Sequence, residues 1–351
     1  MKPSLSLALL LLTVSASAHA GKPPVKPDVT VDTKTALARK QYDANVAFAT
    51  GYRSRCAASA PGKHVIVMGF GRFDTVTDNT AGRLVEIVTG VKYPLTKRPP
   101  DGQIDPPEPQ TSVATRTIEV PGVGTASVCG MILPTFWDVA PILLSREIEA
   151  FKPSVVIMNG VDGGERGVPM RIELGSANLA QPAVEDGSGI LRAHSPTLAL
   201  VPVIAGGPAT IPSQMSWNAV RGAVTKAWSA SGGDLTHQIS AIHLGGYPSA
   251  YLTYLCNDVV YVTNYLMSNP GKRVQLLTPS IPLSKDDRGV ATSLQGDFRK
   301  TARAFIHWPD VSSSLRPGAA SMLRAIVDAQ LLASVKGDAP TPGDNRSADE
   351  F

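Results

Sequence analysis

The chain has 351 residues, 33 Lys and Arg against 29 Asp and Glu, and 43% hydrophobic residues. A globular protein of this length and apolar content buries a core of its own. The net charge is only +4, and the cations are scattered rather than gathered into a stripe, which speaks against a nucleic-acid partner.

Taken in chain order, Lys2 is followed by the apolar run Leu5 to Val14 and then by Ser15-Ala16-Ser17-Ala18-His19-Ala20. A charged start, a short apolar stretch and a small-x-small exit predict a cleaved secretory signal over residues 1–20. The stretch is too short for a membrane span, and no later run approaches the roughly 18 consecutive apolar residues a span needs. The mature chain is therefore expected to be soluble, free of the membrane after cleavage, and periplasmic or secreted.

Residues 21–31 read as an exposed, Pro- and Lys-rich lead-in. Helical spacing of Ala36, Ala38, Tyr42, Val46 and Ala49 predicts a helix within Thr33 to Ala58, part of an N-terminal extension spanning residues 21–62. The main domain is expected over 63–336. It opens with the apolar run His64 to Met68, a central strand that breaks at Gly69-Phe70-Gly71, and continues with a helix from Thr80 to Thr89. Six prolines within 93–110 make that segment a loop, and Lys97-Arg98 inside it a solvated pair.

Strands are expected over Ser112 to Val120 and Ala126 to Leu133, then a helix from Val139 to Phe151 capped by Asp138. Val155 to Met158 shows no alternation, as in a strand covered on both faces, and a glycine-rich turn follows over Gly160 to Gly167. Helices near Ser216 to Ser229, Tyr251 to Met267 and Gly318 to Val335 alternate with strands Gln238 to His243 and Arg273 to Leu277. The alternation predicts an α/β protein, a three-layer α/β/α sandwich with a mostly parallel central sheet. The tail from Gly337 to Phe351 has almost no apolar content and is expected to be disordered.

In such sheets the site forms at the carboxyl ends of strands, which singles out residues 69–79, 159–178, the segment ending in Cys256-Asn257-Asp258, and Phe305 to Pro309. Gly69-Phe70-Gly71 lacks a third glycine at dinucleotide spacing, so no dinucleotide site is expected. Three cysteines, Cys56, Cys129 and Cys256, meet an oxidising compartment, so two can pair and one is left over; three pairings are open, and three inert buried thiols are the alternative. Cys256 lies near a predicted helix start, where backbone N–H groups favour a thiolate. His307 sits in an extended segment, where it can act as a base. Alternation places Glu173 among buried neighbours, so it needs a partner, with a salt bridge to Arg171 or Arg166 as the purely structural choice. A Cys–His–Glu triad would make Cys256 the cysteine left free.

These segments resemble pyroglutamyl peptidase I, the pyrrolidone-carboxylate peptidase family of cysteine peptidases. The similar stretches are Val67 to Phe73 with Asn79; Leu133-Pro134; Pro153 to Gly160 with Gly163-Gly164 and Arg166; Ile172-Glu173 with Asn178; Gly206 to Ala209; Thr253 to Asn257; and Phe305 to Pro309. The resemblance covers roughly Lys63 to Val335. It implies a cysteine omega-peptidase that removes N-terminal pyroglutamyl residues or hydrolyses a related small amide, without metal or organic cofactor. Cys256 is then the nucleophile, His307 the general base and Glu173 the carboxylate that orients it. Phe70 and Phe73 would line an apolar pocket for a flat lactam, Asn79 would help fix it, and Arg166 would order the neighbouring loop.

The chain departs from the family's wording in several places. Val161 and Asp162 stand where the family's lactam-reading glutamine is expected, Arg72 replaces a proline, Thr80-Ala81 replaces Pro-Ser, and Tyr251-Leu252 replaces Ala-Gly. One extra residue precedes Glu173, and the 51-residue interval from Cys256 to His307 is about twice the family's, which implies an insertion. Two further readings stay open: a thiol amidase in which Asp162 favours a cationic or hydroxyl-bearing group, and a catalytically silent binding protein on the same fold. A homo-oligomer is compatible with the sequence.

Overall fold

The computed structural model describes residues 23–25, 30–58, 63–73, 76–94, 111–162, 166–181, 192–193, 200–246 and 254–343. The expected signal segment, loop residues 95–110, Gly163-Gly164 and Thr253 lie outside the described residues.

A strand covered by helices on both faces must be apolar at every position. Val65 to Met68 and Val155 to Met158 meet that requirement, each residue being fully buried. They belong to a central sheet of seven principal strands: β1 (Lys63–Phe70), β2 (Ser112–Val120), β3 (Gly124–Leu133), β4 (Val155–Val161), β5 (Val168–Glu173), β6 (Ile239–Gly245) and β7 (Ala302–Trp308). Their order is β6-β5-β7-β4-β1-β3-β2. The β6–β5, β7–β4, β4–β1 and β1–β3 pairs are parallel, while β5–β7 and β3–β2 are antiparallel.

Among the described residues, seven helices flank the sheet: α1 (Ala36–Gly51), α2 (Thr80–Thr89), α3 (Val139–Phe151), α4 (Trp217–Ala230), α5 (Gly233–Gln238), α6 (Leu255–Ser268) and α7 (Arg316–Lys336). Side chains of α1, α3 and α6 share one core cluster, and those of α2, α4, α5 and α7 share the other. Strand residues alternate between the two as the pleat requires: Phe305 joins the first cluster, and Ala304, Ile306 and Trp308 the second. This is the expected three-layer α/β/α arrangement with a mostly parallel sheet. It turns His307, two residues from Phe305, toward α6. Helix α7 is long and apolar enough to cross a membrane by composition, but Leu323, Ile326, Val327 and Leu331 are buried in the second core.

Helix α2 matches its expected limits because its ends carry their own stops. The Asn79 side chain accepts a bond from Ala81 N, and Gly90 closes the helix in the left-handed region at φ 73°. Asp138 behaves differently from expectation. It has φ 60° and makes no side-chain cap bond; its Oδ2 instead accepts from Leu277 N at 2.7 Å. The expected strand at Arg273 to Leu277 exists over Arg273–Leu276, but outside the central sheet, paired antiparallel with Val290–Ser293.

The lead-in expected to be exposed runs along this hairpin. Val25 N donates to Arg273 O at 2.9 Å and Val31 N to Thr278 O at 2.8 Å, and Val31 is buried. A disulfide between Cys56 and Cys129, with Cα atoms 5.6 Å apart, joins the chain after α1 to β3. The tail also departs from expectation up to Gly343. Thr341–Pro342 pairs with Gln214–Met215, Trp217 Nε1 donates to Thr341 O, and Gly343 N donates to Ser213 O. Backbone pairing holds there what apolar burial does not, and residues 344–351 lie outside the described residues.

Candidate active site

The strand register sets the geometry. His307 on β7 pairs with Gly160 on β4 and with Arg171 on β5. Gly160 has no side chain to occupy the face that His307 shares. A Cβ built on it would lie 2.6 Å from Phe305 Cζ and 2.9 Å from Cys256 Sγ. The space a side chain would take is filled by the sulfur, and the absent methyl is what admits it.

Cys256 is the second residue of α6, where backbone N–H groups lack intrahelical acceptors and the helix dipole favours an anion. It is partly buried and is the free cysteine, since the other two are bonded to each other. The thiol lies within hydrogen-bonding reach of His307. Asn257, the next residue, fastens this turn: its Nδ2 donates to Ala177 O and Leu179 O, and its Oδ1 accepts from Ala177 N.

Glu173 ends β5, is 4% exposed, and brings Oε1 to 2.7 Å from His307 Nδ1. A second glycine makes its seat. Gly245 of β6 pairs with Glu173, and a Cβ on it would stand 2.5 Å from Oε2. With the carboxylate ionised, Nδ1–H donates to it, which leaves Nε2 for proton exchange with the thiol. Burial works against a charged imidazole here, but hydrogen bonds with Cys256 and Glu173 and their charges outweigh it and lift His307 to about 10. The arrangement therefore keeps the imidazole protonated at neutral pH, beside a sulfur that is nucleophilic as its thiolate.

Arg171 stands next to this pair. Its Nε is 3.7 Å from Glu173 Oε1, and its Nη2 is 2.6 Å from Asp162 Oδ2. The salt bridge foreseen as a structural alternative thus exists only as a longer contact, and the short bond of Glu173 goes to His307. Arg166 is exposed and forms an ion pair with Asp310 at 3.0 Å rather than with Glu173.

The other expected ligand contacts separate into two kinds. Phe73 is partly buried, with its ring 5.5 Å from that of Tyr254, which in turn lies 5.0 Å from Trp137. Phe73 and Tyr254, both partly buried, form an aromatic wall at the start of α6, and the fully buried Trp137 backs Tyr254. Phe70, expected to line a pocket, is instead buried among core side chains on the same face. Asn79 is spent on structure: its oxygen caps α2 and its N–H donates to Tyr93 Oη at 3.1 Å. Sequence reasoning did not anticipate Trp137, Tyr254, Gly245 or the seat at Gly160. Gly160 and Tyr254 lay in segments already singled out, and nothing in the spacing of the others announces that they converge.

No protein-family model matches the sequence, and no curated protein does. Among solved structures, pyroglutamyl peptidase I of Bacillus amyloliquefaciens aligns over 77% of this chain and 97% of its own, at 16% identity and TM-score 0.48. Pyrrolidone carboxyl peptidase of Pyrococcus furiosus aligns over 76% of this chain and 98% of its own, at 16% identity and TM-score 0.47.

Proposed function

We propose that this chain is a thiol hydrolase of small amides, an exported cysteine peptidase that removes N-terminal pyroglutamyl residues. Cys256 is the nucleophile, His307 the general base and acid, and Glu173 the carboxylate that orients the imidazole. The observation that carries this reading is the 2.7 Å bond from His307 to Glu173 with the free Cys256 thiol beside the same ring.

In the proposed reaction the Cys256 sulfur bonds to the substrate carbonyl carbon, and the amide C–N bond breaks as His307 gives its proton to the departing amine. Water then adds to the thioester, His307 takes its proton, and the C–S bond breaks to return the thiolate. First-turn N–H groups of α6 are the nearest candidates for stabilising the oxyanion. The aromatic pair of Phe73 and Tyr254 suits a flat, uncharged acyl group, and the Cys56–Cys129 disulfide suits a periplasmic or secreted protein.

One observation favours a second reading, hydrolysis of another small amide. Asp162 stands in the stretch where a lactam-reading glutamine is expected, and its carboxylate is taken up by Arg171. A silent binding protein is less well supported, because Cys256 is free and held against a histidine. Purified residues 21–351 are expected to release a fluorescent amine from a pyroglutamyl amide, with Cys256→Ser inactive. Inactivity of both, with rapid labelling of Cys256 by a thiol probe, favours the second reading. Inactivity with an inert thiol refutes hydrolysis altogether.

A further inference from the structure

We propose that Arg171 and Asp162 form a charge clamp on the Glu173–His307 pair, Arg171 acting as a positioning residue and Asp162 holding it off the triad carboxylate. The inference rests on the triad reading above.

Arg171 and Glu173 are two residues apart on β5 and so share a sheet face with His307. Asp162 follows β4, on the far side of β7, and its N–H donates to Trp308 O at 2.8 Å. The Asp162–Arg171 ion pair therefore reaches across the end of β7, past the catalytic imidazole. Glu173 Oε1, which accepts from His307 Nδ1 at 2.7 Å, is also the oxygen that Arg171 Nε approaches to 3.7 Å. Arginine and histidine compete for one oxygen, and the ion pair with Asp162 at 2.6 Å draws the arginine away. Both partners are about a quarter exposed, so solvent does not erase their charges.

The consequences have opposite signs. Without Asp162 a negative charge is lost and Arg171 closes on Glu173, so both the thiol and the imidazolium lose their protons at lower pH. Without Arg171 a positive charge is lost and Asp162 is left unbalanced, so both titrations move up. The other ionisable groups near this face are Cys256 and Asp258 on α6, His243 in register beside Arg171 on β6, and the Arg166–Asp310 pair beyond β7. None of them changes between the variants, so none produces an opposed pair of shifts.

The test is the pH dependence of Cys256 alkylation by iodoacetamide, which needs no substrate; the chain has three cysteines and the other two are bonded to each other. In the parent the position of the rising limb sets the reference for the variants. Charged neighbours at this range move a pKa by about half a unit to one unit after partial screening. Asp162→Asn is expected to lower the limb by that amount and Arg171→Gln to raise it. The Asp162→Asn/Arg171→Gln double variant returns near the parent, and Arg171→Lys, which keeps the charge, stays there.

Shifts of one sign, no shift, or an Arg171→Lys shift as large as that of Arg171→Gln overturns the clamp, while a limb that His307→Ala displaces leaves the triad reading intact. A limb that His307→Ala leaves in place overturns that reading, and the clamp with it.

Discussion

Adding one methyl group at Gly160 tests whether the sulfur really occupies the space opposite His307. In Gly160→Ala the new Cβ starts 2.9 Å from Cys256 Sγ and 2.6 Å from Phe305 Cζ. Apolar heavy atoms settle at about 3.5 to 4.0 Å, so the sulfur must retreat by roughly half an ångström or more, and the Phe305 ring by nearer one. Overpacking of this kind costs about 1–3 kcal/mol of stability. Displacing a nucleophile on this scale costs up to about a hundredfold in rate. The expected outcome is a folded protein with a modestly lowered urea midpoint, and with kcat/KM for amide release and the Cys256 alkylation rate both down by about ten- to a hundredfold. A variant that folds and retains parental rates in both assays would refute the placement of Cys256 against β4.

Three other outcomes follow from the same geometry. His307 is lifted from its ordinary value to about 10 by its partners, so the stability it contributes is present in full below about pH 6.5 and is lost as pH rises toward 10. Urea midpoints are expected to fall over that window, and Glu173→Gln, which removes one of the partners, flattens the decline. Removing the disulfide with Cys56→Ala/Cys129→Ala opens a loop of 73 residues' separation and is expected to cost about 2–4 kcal/mol in urea unfolding, with Cys256 alkylation unchanged below the transition. Asn257→Ala deletes three bonds to residues 177–179. It should cost about 2–3 kcal/mol, as buried groups left unpaired do, and lower kcat along with stability.

The layers and the segments that bring Cys256, His307 and Glu173 together were legible because each rests on local or order-preserving signals. Buried strands read as unbroken β-branched runs, and Asn79 with Gly90 bracket α2. Cys256, His307 and Glu173 each fell in its own recognisable segment. What failed depended on neighbours distant in sequence. Asp138 has the composition of a cap, but its carboxylate is claimed by Leu277 N, 139 residues away. Asn79 and Arg166 sit in segments with the right wording, yet one oxygen is consumed by a helix start and one guanidinium by Asp310. The strand at Arg273–Leu276 has the right apolar character, but periodicity carries no information about which sheet a strand joins.

The long Cys256-to-His307 interval and the N-terminal extension are best understood as one structural unit. The interval contributes the hairpin at Arg273–Leu276 and Val290–Ser293, and the extension lays Val25, Val31 and α1 against it. Asp287, in the hairpin's connecting segment, is the fastening: it accepts from Arg39 Nη1 at 2.6 Å, from Tyr42 Oη at 3.1 Å and from Leu283 N at 2.9 Å. Burial opposes its charge, but the Arg39 bond and the two others hold its carboxyl below the ordinary range. Its contribution is therefore present above about pH 4 and lost as pH falls through the lowered value. Asp287→Ala strips Arg39 and Tyr42 of this partner and is expected to cost about 2–3 kcal/mol at pH 7. Because the loss falls on the contact between α1 and the hairpin, limited proteolysis should cut within residues 30–52 sooner than in the parent. Unchanged stability together with unchanged cleavage would mean that the extension is a passenger, and the length of the interval would then need another cause.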